Sequence, residues 1–210
     1  MSETIGPDLI PRIAFEDFAT DLKESLRPKV ERLGYCGEIW QIGANVPQSM
    51  YQFCELTEAL KQEIDAKAVE LVALTTAGVM GNTYERNQHE GLADKLGFGR
   101  EWIAQVNQLQ AEPGGHMSDA ECAVQKFTMA AIYRRGHDCQ DLFKEVIAAV
   151  GPEQATGILL SVGRCLMHAI FRNTLGLEPP VASLFEGDEA GDEAGDEAGD
   201  EAGDEGGRAA

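Results

Sequence analysis

The sequence predicts an all-α domain followed by a disordered acidic tail, and three observations carry that prediction. Apolar residues recur at three- and four-residue intervals from Phe15 to Leu175, and no segment alternates convincingly with period two. Helix start and stop signals recur along the same stretch: Asp65, Ser118 with Glu121 three residues on, Pro152 and Gly176. From Glu186 the composition changes to a Gly-Asp-Glu-Ala repeat that runs to Gly206. Residues 1–185 are therefore read as one helical domain and residues 186–210 as a tail.

The elements follow in order. Phe15 to Leu33 places Phe18, Leu22 and Leu26 on one stripe, and Pro28 is expected to divide the helix. Glu38 to Ala44 is a short apolar helix that ends before Pro47. Pro47 to Lys61 carries Met50, Phe53, Cys54, Leu56 and Leu60 at helical spacing. Asp65 caps a helix to about Val79, in which Ala66, Glu70, Ala73 and Ala77 form a stripe of small residues around one acid. Gly78 and Gly81 are expected to break the chain before a helix from Asn82 to near Gly97. Trp102, Ile103 and Val106 mark a short helix after Gly99, and Glu112 to Met117 is a loop. The Ser118 box opens a helix to about Arg135. Asp138 or Gln140 opens another that ends at Gly151, and Pro152 is a first-turn proline for Glu153 to Leu175.

Charge and cysteine content narrow the function. The chain carries −19 over 210 residues, and the tail holds −10 of it, eleven Asp or Glu against one Arg. The tail has no apolar residue larger than Ala to offset its ordering entropy, so it is read as solvating, with docking to a basic partner as the alternative. An acidic domain lacks the Lys and Arg excess that nucleic-acid binding needs. No run of about 18 apolar residues predicts a membrane span. Met1 to Ala14 lacks a basic start followed by an apolar stretch, so a cytoplasmic location is expected. Cys36, Cys54, Cys122, Cys139 and Cys165 form no Cys-x-x-Cys pair, which argues for small core residues rather than a zinc or redox motif.

Candidate chemistry gathers between Glu70 and His89. Glu85 and His89 are four apart, so one helix face presents both. Asn82 lies one turn earlier, and Glu70 sits in an apolar helix where an acid needs a partner. An acid, an amide, an acid and an imidazole together make a proton-transfer site. Glu-x-x-x-His also offers two metal ligands on one face, but a catalytic zinc takes three, and no third is apparent. No metal or other cofactor is expected.

This stretch resembles the carboxymuconolactone decarboxylase and alkylhydroperoxidase-D-like family, with a match from about Glu38 to Pro180 that is strongest from Glu70 to Ile103. The peroxidase branch has a Glu followed at fixed spacing by Cys-x-x-Cys-x-x-x-His. Glu70 and His89 fall on its Glu and His, while Asn82 and Glu85 stand where its cysteines would be. The thiol pair that disulfide chemistry requires is missing. Tyr84-Glu85 with His89 resembles the Tyr-Glu-x-x-x-His run of cysteine-free members, and Ala93, Gly97 and Phe98 fit the positions after it. The resemblance implies a single alkylhydroperoxidase-D-like helical domain and a homo-oligomer, commonly a trimer or hexamer. It names decarboxylation as the nearest reaction.

The expected function is a cofactor-free acid–base enzyme for a small organic acid or lactone. Glu85 and His89 would exchange a proton with carbon, and burial would bring the Glu85 pKa toward neutral. Glu70 would hold the imidazole tautomer. Asn82, Tyr84 and His168 are candidate substrate contacts. Bland readings stand beside these: Glu85–His89 as a surface pair, Asn82 as a cap, Tyr84 as packing, and His168 as a satisfied core histidine. Two other classes stay open, a redox protein using thiols outside the motif and a non-catalytic small-ligand binder.

Overall fold

The computed structural model describes Gly6 and residues 9–186. Residues 187–210, all of the predicted tail but Glu186, lie outside the described residues. Among the described residues there are helices and no strands. A 3-10 turn, Phe15–Asp17, leads into α1 (Thr20–Leu33), α2 (Glu38–Gly43) and α3 (Pro47–Glu63). Then come α4 (Ala66–Val79), α5 (Thr83–Lys95), α6 (Arg100–Asn107), α7 (Asp119–Tyr133), α8 (Gln140–Val150) and α9 (Pro152–Leu175).

Local signals explain most boundaries. The Asp65 carboxylate accepts from the amides of Lys67 and Ala68. Ser118 and Glu121 form the reciprocal capping box. Pro152 occupies the first turn of α9, and Gly176 closes it in the left-handed region at φ 65°. Two expectations are corrected. Pro28 does not divide α1, because the helix packs along α3 and that packing outweighs one lost backbone bond. Gly78 lies inside α4, and the break falls at Gly81, whose φ of 60° suits a residue without Cβ.

Two apolar clusters organise the molecule. The larger joins α4 to α7 and α9, with Leu71, Leu74, Ile103, Val106 and Ile158 fully enclosed. The smaller joins α1, α2 and α3 through Phe18, Leu22, Trp40, Met50 and Phe53, and it also takes in Tyr84 and Leu175. Helix α4 packs against α5, α7 and α9, so every residue from Glu70 to Ala77 is buried. A helix enclosed on all sides has apolar residues all round, and that setting makes Glu70 conspicuous. Helix α9 is long and apolar enough to cross a membrane by length and composition alone. Its contacts with α3, α4, α7 and α8, and the buried His168 and Arg172 along it, are those of a core helix.

The segment after α9 returns across α5. Buried Glu90 accepts from Ser183 Oγ at 2.6 Å and the Leu184 amide at 2.9 Å, and Asn87 donates to the Val181 carbonyl at 2.9 Å. Residues 181–184 thereby become one wall of a cavity of about 550 Å³. The other walls come from α1, α2, α3, α4, α5 and α9, so the space lies where the two apolar clusters meet.

Candidate active site

A line of hydrogen-bonded ionisable groups reaches this cavity. His89 Nδ1 donates to Glu70 Oε2 at 2.6 Å, and its Nε2 faces Glu85 Oε2 at 3.5 Å. His168 Nδ1 donates to the same Glu85 oxygen at 2.8 Å. Arg172 Nη2 lies 2.9 Å from Glu85 Oε1 and donates to His168 Nε2 at 3.3 Å. Helix α4 supplies Glu70, α5 supplies Glu85 and His89, and α9 supplies His168 and Arg172. The turn at Gly81 lets α5 fold back beside α4 and bring His89 against Glu70.

Exposure sorts their roles. Side-chain exposure is 16% for His89, against 4% for Glu70, 8% for Glu85 and 4% for His168. His89 is therefore the member most open to the cavity, and the others support it. Tyr84 is buried and lines the cavity, with the Arg172 guanidinium stacked 3.6 Å from its ring centre. His168 packs against both Trp40 and Phe53, at 5.8 Å and 5.4 Å between ring centres. Asn82 is placed differently from expectation. Its Oδ1 accepts from the Glu85 amide at 3.0 Å as the cap of α5, and it does not line the cavity. The geometry thus favours capping over substrate contact.

The charge states follow from the partners. Burial opposes ionisation of Glu85, but His168 and Arg172 outweigh it and hold the carboxyl well below its ordinary range. The expectation that burial would bring Glu85 toward neutral is corrected: its cationic partner on α9 keeps it a carboxylate. Burial also disfavours a charged His89, yet Glu70 and then Glu85 push it up to about 10. His168 is driven down to about 3, chiefly by burial, with the Arg172 charge adding to the effect. Its Nε2 accepts from Arg172, which requires the neutral ring with the proton on Nδ1. At neutral pH the site holds an imidazolium at His89, a carboxylate at Glu85 and a neutral imidazole at His168.

These shifts predict a stability maximum near pH 6.5. Folding raises His89 from 6.5 to about 10, so its stabilisation is complete below 6.5 and is lost as pH rises through 10. Folding lowers His168 from 6.5 to about 3, so its stabilisation is complete above 6.5 and is lost as pH falls through 3. Glu85 adds to the loss on the acid side, since its folded value lies below the ordinary 4.5. Thermal midpoints measured across this range are expected to fall on both sides, and a flat profile contradicts the assignment.

The five groups run from Glu70 through His89 to Glu85, which His168 and Arg172 also meet. Among the described residues no group of three or more His, Cys, Asp or Glu is arranged to hold a metal. All five cysteines are free thiols. Burial pushes Cys36 and Cys54 up to about 11, which leaves little thiolate at neutral pH. Sequence reasoning missed Arg172, although its spacing of four from His168 on an apolar helix was a usable signal.

No protein-family model matches this sequence, and none of the curated proteins does. Solved structures do match. A variant of the debrominase Bmp8 in complex with 2,3,4-tribromopyrrole has a TM-score of 0.70 at 18% identity, covering 84% of this chain and 93% of that one. Ligand-free Bmp8 has a TM-score of 0.66 at 18% identity, covering 78% and 88%. ATU0492 from Agrobacterium tumefaciens, a protein of unknown function and putative antioxidant defence protein AhpD, has a TM-score of 0.58 at 14% identity, covering 67% and 96%. At these identities the likeness is one of fold, and the chain has the AhpD-like all-α fold that its Glu70-to-His89 stretch implies.

Proposed function

We propose that this protein is a cofactor-free acid–base enzyme acting on a small organic acid or lactone, by decarboxylation or a related proton transfer at carbon. The observation that carries this reading is the His89 ring, held between Glu70 and Glu85 at the edge of a 550 Å³ cavity. Glu70 fixes the proton on Nδ1, which leaves Nε2 as the transferable position. In a decarboxylation the bond to the departing carboxylate breaks, and its electron pair remains on carbon as an enolate. His89 Nε2 then donates its proton to that carbon and is recharged from solvent. Glu85 stays ionised, balances the imidazolium and keeps its Nε2 proton in place.

The debrominase complex supports a small-molecule ligand for this fold, and the identity of its ligand is not carried over. A screen of enolisable acids, lactones and halogenated heteroaromatics, followed by His89→Gln with any substrate found, tests the proposal. The raised Cys36 and Cys54 thiols disfavour the peroxidase-related alternative.

Homo-oligomerisation belongs to the same proposal. Leu159, Leu160, Met167 and Ile170 are exposed along one helix, α9. Light scattering at micromolar concentration is expected to give a multiple of the chain mass, and a monomer mass overturns this part.

A further inference from the structure

The cavity walls reverse the charge of the chain. The full sequence has 17 Lys and Arg against 36 Asp and Glu. Six of those cations line the cavity, together with a single carboxylate, Glu85. Glu85 is already balanced by Arg172 and His89. A cleft lined by one sign of charge concentrates ligands of the opposite sign.

Two of the six cations stand out because they are partly buried without a carboxylate partner, whereas Arg32 and Lys95 are exposed to solvent and Lys61 and Arg172 are ion-paired. Lys29 Nζ lies 4.6 Å from the centre of the Trp40 ring, and the Arg164 guanidinium lies 5.4 Å from that of Phe53. These two rings are 6.4 Å apart, and both pack on His168. Lys29 and Arg164 therefore flank the aromatic pair that backs the proton-transfer line. Among the described residues, neither is ion-paired to a carboxylate. Arg164 donates from Nε to Thr57 at 3.1 Å and from Nη1 to Cys165 Sγ at 3.4 Å, which holds the guanidinium in place with neutral partners. Lys61, the neighbouring cation, is already paired with Glu58 at 2.8 Å.

We infer that Lys29 and Arg164 form a carboxylate cradle, which holds an anionic group of the substrate on the Trp40–Phe53 side of the cavity while His89 acts on the remainder. This rests on the acid–base reading above and adds the recognition element to it. The ligand is an organic rather than an inorganic anion, because apolar Leu60, Val69 and Trp40 line the same space, and the anionic group held in the cradle is additional to the part on which His89 acts. An inorganic anion gains nothing from such walls. Burial pushes Lys29 down to about 8, and Lys61 and Arg164 add repulsion, with Glu58 opposing. A bound carboxylate relieves that repulsion and makes charge-assisted bonds to both heads.

Adipate, a dicarboxylate with no activated carbon, is the probe, with adipamide and sulfate as controls at constant ionic strength. Titration calorimetry of the full chain is expected to show saturable adipate binding, at least tenfold tighter than either control. Lys29→Met and Arg164→Gln are each expected to weaken adipate at least tenfold, with thermal midpoints near that of the parent. Lys29→Arg keeps the charge and is expected to restore most of the affinity, which a purely structural role does not predict. Equal binding of adipate and adipamide, equal binding of sulfate, no saturable adipate binding, or unchanged affinity in both variants overturns the cradle. Failure of the acid–base reading has a separate signature, full turnover in His89→Gln, and leaves these affinities unaffected.

Discussion

His89→Gln is expected to lower turnover by ~10²–10⁴, the usual contribution of general acid–base catalysis, without unfolding the protein. Glutamine retains one hydrogen bond toward Glu70 and much of the ring's volume, but it cannot titrate. Glu85→Gln is expected to cause a comparable loss for a different reason. Burial alone would keep His89 neutral, and Glu70 and Glu85 together hold it near 10. Removing one carboxylate lowers the imidazolium pKa, so the alkaline limb of the rate profile moves to lower pH. Since the two residues act as a unit, the double variant is expected to cost much less than the product of the single effects. Full activity in His89→Gln with unchanged pH dependence makes the pair structural and removes the proposed mechanism.

Arg172→Met is expected to produce the largest loss of stability at the site. Arg172 is 3% exposed, and its Nη2 lies 2.9 Å from Glu85 Oε1. Removing one partner of a buried pair typically costs about 3–5 kcal/mol, because the other charge is left uncompensated. The loss here belongs at about 3 kcal/mol, since the His89 imidazolium still faces Glu85. For a chain of this size that is roughly a 10 °C fall in thermal midpoint. The Glu85→Gln, Arg172→Met double variant is expected to recover part of the loss, since neither charge is then stranded. An unchanged midpoint in Arg172→Met places the guanidinium in solvent and contradicts the buried network.

Local chemistry was legible where it acts within a few residues. The Asp65 cap, the Ser118–Glu121 box, the Pro152 start and the Gly176 stop each depend on atoms three or four positions apart. Glu85 and His89 shared a face for the same reason. Pro28 misled because its cost is local while the packing of α1 along α3 that offsets it is tertiary. Of the two roles open to Asn82, cap and substrate contact, the structure shows the cap, since a side chain at a helix start turns back to the backbone when a free amide lies within reach.

The order of helices, the helix pair carrying Glu70, Glu85 and His89, and the absence of the Cys-x-x-Cys pair are properties of the sequence by itself. Which groups are charged is not. His89 and His168 have the same intrinsic chemistry, and the fold moves one up to about 10 and the other down to about 3. The difference comes from the surroundings that packing supplies: Glu70 from α4 and Glu85 both face the His89 ring, whereas burial, with the Arg172 charge adding to it, disfavours a charged His168. Lys29 and Arg164 are 135 positions apart and come to one cavity because each lies over one ring of the Trp40–Phe53 contact. Electrostatic energy depends on distance and desolvation, and packing between the two apolar clusters sets both.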